Sequence, residues 1–355
     1  MTIILDDSLI RDQLYPFAQI RHAADIRVGI LTIREKWEKI LGYAVSLDAK
    51  AFFNSVEESG KTEMPAIIAA NTIPTKEWVT ELLKGGNMDR LFSNNEGHRT
   101  ISRPWEIFQH NDWALRKDFE LICSGRTSQP ISSTNTLINP EQIFMEAGAA
   151  VEHAILNATD GPIYIGKNAT IMEGSMIRGP FALCEGAVVK MGAKIYGATT
   201  IGPFCVAAGE IKNSILFGYS NKAHDGYLGD SVLGEWCNLG AGTSNSNVKN
   251  TAGAVKAWNN ATQDWEEVGL KCGLMMGDYS RSAINTSFNT GTVIGVSSHI
   301  FGQGFPPKFV PDFTWGDVPY AFEKALTDIQ NWKQLKGLSI TETEQQRLHE
   351  IYHKN

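Results

Sequence analysis

The chain has 355 residues, 43% hydrophobic and 20% charged, with a formal net charge of −7. That is the composition of a globular chain with room for two domains and a large core. It offers no basic block for nucleic acid, no 18-residue apolar run for a membrane and no signal-peptide pattern at its start, and its five scattered cysteines form no C-x-x-C, which disfavours disulfides and structural zinc and fits a reducing cytoplasm.

The first 140 residues read as a small α/β layer structure. MTIILDD opens as a strand, and Arg27–Leu31 reads as a second strand or a strand–helix junction. Thr32–Leu41 reads as a helix, with Thr32 and Glu35 in a capping-box pattern. Pro65–Ala70 is expected to be a short buried strand, and Lys76–Lys84 an amphipathic helix stopped by Gly85-Gly86. Trp105–Glu120 holds another helix, cut at Asn111-Asp112. Strands alternating with helices suggest a layered α/β unit. Arg21, Asp25 and Arg27 are read as an ion-pair cluster rather than a nucleotide site, although Arg21, Asp25, Arg27, Arg34 and Glu35 together could serve a ligand. Gly125–Pro140, rich in Ser, Thr, Asn and Pro, is the linker candidate.

From Ile165 the chain keeps a period of six. Ile165, Ile171, Ile177, Leu183, Val189, Ile195 and Ile201 are all large aliphatics. Four residues after each comes Ala169, Ser175, Phe181, Ala187, Ala193, Thr199 or Cys205, mostly small, preceded by a turn former in most rungs. Six matches neither the helical nor the plain strand period; it fits a hexapeptide β-helix whose three rungs close a coil of about 18 residues. The alternative is a Gly-rich β-sandwich. The solenoid is expected from near Ile143 to about Val310, within a domain of residues 141–312. Asn247–Gly269 breaks the repeat and reads as a loop or β-arm, with Trp258 and Trp265 as packing. Residues 313–355 follow with two helices, about Tyr320–Leu335 and Thr341–His353, the latter with a Thr341/Glu344 capping box; they are expected to cap the coil or lie along it.

Chemistry is expected where the rhythm loosens. Glu210–Asn247 gathers Lys212, Lys222, His224, Tyr227, Asn238, Asn245 and Asn247 within about two coils. A histidine there suits a general base, a lysine an anion, and asparagines a carbonyl or oxyanion, while Gly240-Ala241-Gly242 lets a ligand approach the backbone. Each has a plainer reading: an exposed histidine, a solvated lysine, asparagines that tolerate tight corners. The remaining histidines have no comparable company.

AHDGYLGDSVLGEWCNLGAGTSNSN resembles the acetyltransferase site of the bifunctional N-acetylglucosamine-1-phosphate uridylyltransferase/glucosamine-1-phosphate acetyltransferases and their archaeal sugar-1-phosphate counterparts. The resemblance is specific from about Gly161 to Gly295. It implies a nucleotidyltransferase-like α/β domain, a left-handed parallel β-helix after it, a homotrimer, and acetyl-CoA-dependent acyl transfer to a sugar phosphate or related amino sugar. It implies His224 as the base and Asn247 near the acetyl group. It implies Lys212, Tyr227 and Asn238 as the grip on the sugar phosphate. Ala241 would contact CoA through its backbone, and Ser282 would lie near the thioester. The family's arginine beside a PFA segment and its lysine after the Asn-rich turn have no clear counterparts.

The N-terminal 140 residues look like a reduced nucleotidyltransferase. Ile4–Arg11 stands where the family has its Gly-rich phosphate loop, and Asn71-Thr72 replaces the Gly-Asp whose carboxylate binds Mg2+. Mg2+ is therefore expected only if nucleotidyl transfer from UTP or dTTP is retained. Three readings stand: an acetyltransferase, an Mg2+-dependent sugar-1-phosphate nucleotidyltransferase, or a binding protein with both sites decayed.

Overall fold

A computed structural model describes residues 2–47, 65–86 and 97–354. Its scaffold is a parallel β-solenoid with three long faces. The first face carries nine strands, from Ile143–Met145 to Phe309–Val310. The second carries ten, from Ala150–Val151 to Val318–Pro319, the last one antiparallel. The third carries six, from Thr136–Ile138 to Tyr227–Gly229, and resumes as the pair Ser244–Asn245 and Ser287–Phe288. Pairing thus begins at Thr136, inside the stretch expected to be linker. Leu137 sets its side chain under Leu156, and that packing outweighs the polar composition around it.

The period of six is the coil. Ile163, Phe181 and Thr199 stack eighteen residues apart, as do Thr170, Val188 and Val206. All seven hexad aliphatics point inward and are buried. Corners demand a left-handed backbone: Asn168 and Phe204 take φ 55° and 57°, and Gly186 takes 62°. A Cβ on Gly186 would sit 2.6 Å from the Phe204 ring, so that corner needs glycine for space as well.

After Val206 the coil shortens. Val206 pairs with Asn221, fifteen residues on, and Asn221 with Asn238, seventeen on. Val232 then pairs with Met275, across the expected arm. The arm is a hairpin, Val255–Asn259 against Asp264–Gly269. It lies down on the N-terminal layer: Val255 and Ala257 are buried in its core, and Arg103 pairs with Glu266 at 2.7 Å. Trp258 and Trp265 pack edge to face at 5.6 Å, as structural tryptophans do.

In the N-terminal layer, Ile3–Asp6 and Ala66–Ala69 pair in parallel. The second is a partly exposed strand, Ile67 being 51% accessible, where a fully buried one was expected. Helix Ile33–Leu41 carries the Thr32/Glu35 capping box, and helix Lys76–Leu83 follows. Glu106–Gln109 and Asn111–Cys123 form two helices meeting at His110, one residue before the expected cut at Asn111-Asp112, which is itself helical.

Arg27–Leu31 is no strand; only a single bridge, Arg27 to Thr32, forms. Side chains take its backbone donors instead. Asn111 Oδ1 accepts from the Gly29 N–H at 2.7 Å, and Asp118 accepts from those of Ile30 and Leu31 at 2.7 and 3.0 Å. Asp118 also receives the buried Lys36 ammonium. Asn111 and Thr200 tie the same loop to the solenoid. Asp25 and Arg27 are in ion pairs as expected, but with other partners: Arg34 meets Asp25 at 2.7 Å and Arg27 meets Glu35 at 3.7 Å. Arg21 instead reaches across to Asp278 of the solenoid at 2.9 Å. Phe17, Ile3 and Trp37 share one core with Ile215, Phe217, Val232 and Val293, so the first face of the solenoid is covered.

The tail forms helices Phe322–Gln334 and Glu342–Tyr352, with the Thr341/Glu344 capping box in place. They lie along the coil, packing Ala325, Ile329, Leu348 and Ile351 on Tyr279, Val296 and Phe313. All five cysteines are free. Among the described residues no helix is long and apolar enough to cross a membrane.

Candidate functional site

The corner between the second and third faces carries an open cleft of about 530 Å³. Successive corners are stapled through their backbones. The Gly242 N–H donates to the Asp225 carbonyl at 3.1 Å, and the Asn285 N–H to that of Ala241 at 2.7 Å. His224 and Asp225 stand on one side, Ala241, Gly242, Ile284 and Asn285 on the other, with Lys190 and Ala208 beside them. His224 is exposed, and its imidazole makes no hydrogen bond to the described residues. It has no partner to give up before it takes a proton.

Both expected residues of this corner, His224 and Ala241, therefore line one cleft. The glycines beside Ala241 serve a different purpose from the one expected. A Cβ on Gly240 would lie 2.5 Å from the Ala283 backbone, and one on Gly242 2.2 Å from Asn285 Oδ1. Gly240 is bare to admit the next coil, while Gly242 both makes room for Asn285 and lines the cleft.

Ser282 faces the coil interior and is buried. Its hydroxyl meets Thr243 Oγ1 at 3.0 Å and accepts from the Gly240 N–H at 3.3 Å. It braces the Ala241 corner from behind and does not line the cleft.

Tyr227 and Asn247 meet on the third face. Asn247 Nδ2 donates to the Tyr227 hydroxyl at 3.2 Å and to the Asp230 carboxylate. Asp230 is buried, sits at φ 48°, and also accepts from Asn213 Nδ2 at 2.6 Å. Burial, then the Asp230 charge, pushes the Tyr227 phenol up to about 12, so it stays protonated at neutral pH. Lys212 lies on the same face, its ammonium 5.5 Å from the Tyr196 ring centre.

Asn238 stands apart, on the outer side of the second face beside Arg281. One chain thus brings together His224 with Ala241, and Tyr227 with Asn247. Lys212 shares the third face with the latter pair, while Asn238 opens onto another face. Sequence reasoning passed over Asp230, Asp225 and Asn285. Asp230 was legible as the acid of YLGD; Asn285 comes into place only through the 43-residue offset that pairs Asn238 with Arg281.

In the N-terminal layer, Asn71 and Thr72 are both buried, and Asn71 Nδ2 is bonded to the Ile101 carbonyl at 2.8 Å. An interior amide and hydroxyl do not make a Mg2+ donor set. Among the described residues no cluster of His, Cys, Asp and Glu suits a metal.

Residues 2–97 match the family model described as Sugar nucleotidyl transferase. The chain is 25% identical over 281 residues to the bifunctional protein GlmU of Bartonella quintana, covering 69% of this chain and 58% of that one. It is 29% identical over 195 residues to the protein of the same name from Methanocaldococcus jannaschii, covering 55% and 41%. Against that of Methanococcus maripaludis it is 26% identical over 288 residues, covering 80% and 62%. The chain therefore spans less than two thirds of the length of these relatives. The crystal structure of the polySia specific acetyltransferase NeuO aligns with 58% of this chain and 98% of its own, at 12% identity and a TM-score of 0.27.

Proposed function

We propose that the protein is an acyltransferase that moves the acetyl group of acetyl-CoA to an amine or hydroxyl of a sugar phosphate. The observation that carries this reading is the cleft in which an unbonded His224 faces the Ala241 corner of the next coil. His224 would take the proton of the attacking amine or hydroxyl as the new bond to the acetyl carbon forms. The tetrahedral oxyanion needs a donor, and the Ala241 N–H, which makes no hydrogen bond among the described residues, is at hand. The oxyanion then collapses and the CoA thiolate leaves. Tyr227 and Lys212 supply a donor and a positive charge for the phosphate, Asn247 and Asn238 orient the sugar, and Ser282 braces the thioester side. Patches opening on different faces of one chain suit a homotrimer with sites shared between copies. The third face, where Ile138, Ile155 and Met176 are exposed, is the surface we assign to it. The five free cysteines suit a cytoplasmic setting.

The test is release of the CoA thiol on incubation with acetyl-CoA and a panel of amino-sugar and sugar phosphates, alongside thermal shift. Turnover lost in His224→Ala, with acetyl-CoA still raising Tm, supports the reading. Turnover unchanged in His224→Ala sinks it. A second reading, sugar-1-phosphate nucleotidyl transfer, is favoured by the family match over residues 2–97. It requires pyrophosphate release from UTP or dTTP with Mg2+, and the buried Asn71 and Thr72 speak against it. A protein that responds to no ligand of either kind would be the decayed binding protein.

A further inference from the structure

A lysine stands in the aliphatic stack of the solenoid. The inward positions of the second face read Val189, Ala207, Lys222, Leu239 along the register, and Lys222 pairs directly with Ala207. Six residues before it lies Leu216 and six after it Leu228, both buried, so Lys222 fills a hexad position that elsewhere takes an aliphatic. It is itself 1% accessible. An ammonium withdrawn from water is costly unless compensated; among the described residues no carboxylate forms an ion pair with this one, and the Asp225 charge offsets only part of the cost of burial.

Two carbonyls accept its hydrogen bonds. Lys222 Nζ donates to the His224 oxygen and, at 3.4 Å, to that of Ala208. Both acceptors belong to residues that line the cleft. The ammonium lies beneath the cleft wall and joins two successive corners, one of which carries the imidazole. That corner has few other ties: His224 and Asp225 are exposed, and its other backbone links are Asp225 O to Gly242 and Gly226 O to Glu210. The carbonyl also leaves no slack towards the coil before it, since a Cβ on Gly209 would come within 2.8 Å of it.

Resting on the reading of His224 as the base, we propose that Lys222 is a positioning residue, which bonds the His224 carbonyl from inside the coil and so fixes the corner from which the imidazole enters the cleft. A stack selected for stability alone would place an aliphatic here, as the neighbouring rungs do with Val189, Ala207, Leu216, Leu228 and Leu239. Burial pushes the Lys222 ammonium down to about 8, which is the cost of keeping it there.

Lys222→Met keeps the length and volume of the side chain and removes its donors. We expect its Tm at pH 7 to equal or exceed that of the wild type, because a buried charge is exchanged for an apolar group. We expect kcat for acetyl transfer to fall about tenfold or more with little change in KM for acetyl-CoA, as misplacement of a base should do. The His224 Cε1–Hε1 resonance should shift and broaden in Lys222→Met. A Tm below the wild type with an unaltered His224 resonance makes Lys222 merely structural and overturns the role. An unchanged kcat overturns it too. If the wild type transfers no acetyl group, the acyltransferase reading fails by itself and the resonance decides: a shifted, broadened line upholds the positioning role, and an unaltered one ends it.

Discussion

Asn247 gives both of its amide hydrogens to its own chain, one to the Tyr227 hydroxyl at 3.2 Å and one to the Asp230 carboxylate. A carboxylate only accepts, so Asp230 decides which end of the amide faces inward. The Asn247 carbonyl is left as an outward acceptor, and the Tyr227 proton as an outward donor. Acceptor and donor then sit side by side, a pairing that suits an amine or hydroxyl next to a phosphate.

Asp230→Asn removes the charge that fixes this polarity while tolerating the left-handed backbone at that position. Two charge-assisted bonds, from Asn213 and Asn247, become neutral or are lost. We expect a loss of about 1–3 kcal/mol in urea unfolding. We also expect KM for the sugar substrate to rise more than kcat falls. A variant with wild-type stability and KM would show that Asp230 orients nothing.

The hexad stack should behave as an apolar core. Leu183 is fully buried between Ile165 and Ile201. Leu183→Ala should cost about 2–5 kcal/mol by leaving a cavity the stiff coil cannot close. A loss below about 1 kcal/mol on chemical denaturation would mean that the rungs collapse freely.

Much of this fold was written in the repeat, because every rung makes the same demand and a single rung cannot disguise it. Ile165 to Ile201 fixed the coil, and the hexads falter just before the corner that carries His224. The capping boxes at Thr32 and Thr341 were equally plain, each being a contact within four residues. What the sequence hid was long-range. Thr136–Ile138 became a strand only because Leu156 lay beside it. Gly240 looked like access for a ligand until Ala283 was found against it. Arg27–Leu31 had the composition of a strand, but Asn111 and Asp118 took its donors first. Lys222 was noticed as a polar group near the site, and its inward direction became clear only once the coil had shortened to pair it with Ala207.

His299 sets a pH dependence. Burial first, then the Arg281 charge, hold its imidazole down near 4. The unfolded chain therefore binds a proton between about pH 6.5 and 4 that the folded chain refuses. Stability should be at its full value above pH 6.5 and decline as pH falls through that window. His299→Gln should flatten the decline by about 1–2 kcal/mol between pH 7 and pH 4.5, compared by urea midpoints. His22 and His110 are lowered in the same sense and will leave a residual slope in the variant. A variant whose pH profile superimposes on that of the wild type would exclude His299.

Asp118 should be among the costliest side chains to remove from the N-terminal layer. It accepts from the Ile30 and Leu31 N–H groups and from the buried Lys36 ammonium. Asp118→Ala strands a charge and two donors at once, and we expect a loss of about 3–5 kcal/mol. Adding Lys36→Met should recover part of it by removing the stranded charge. If the double variant is no more stable than the single one, the backbone donors and not the lysine carry the cost.

Asn71 tests the nucleotidyltransferase reading at its weakest point. The residue ends the turn after Ala66–Ala69, is 3% accessible, and spends its amide on the Ile101 carbonyl. Asn71→Asp would supply the carboxylate that Mg2+ needs, but would set it against that carbonyl and away from water. The charge would then destabilise the fold or take up a proton rather than gather a metal. We expect a Tm lower by several degrees, no stabilisation by millimolar Mg2+, and no gain in pyrophosphate release from UTP or dTTP. Mg2+-dependent stabilisation of the variant, with nucleotidyl transfer appearing alongside it, would show that the layer keeps a working metal geometry, and would move the chemistry of the N-terminal residues from packing to catalysis.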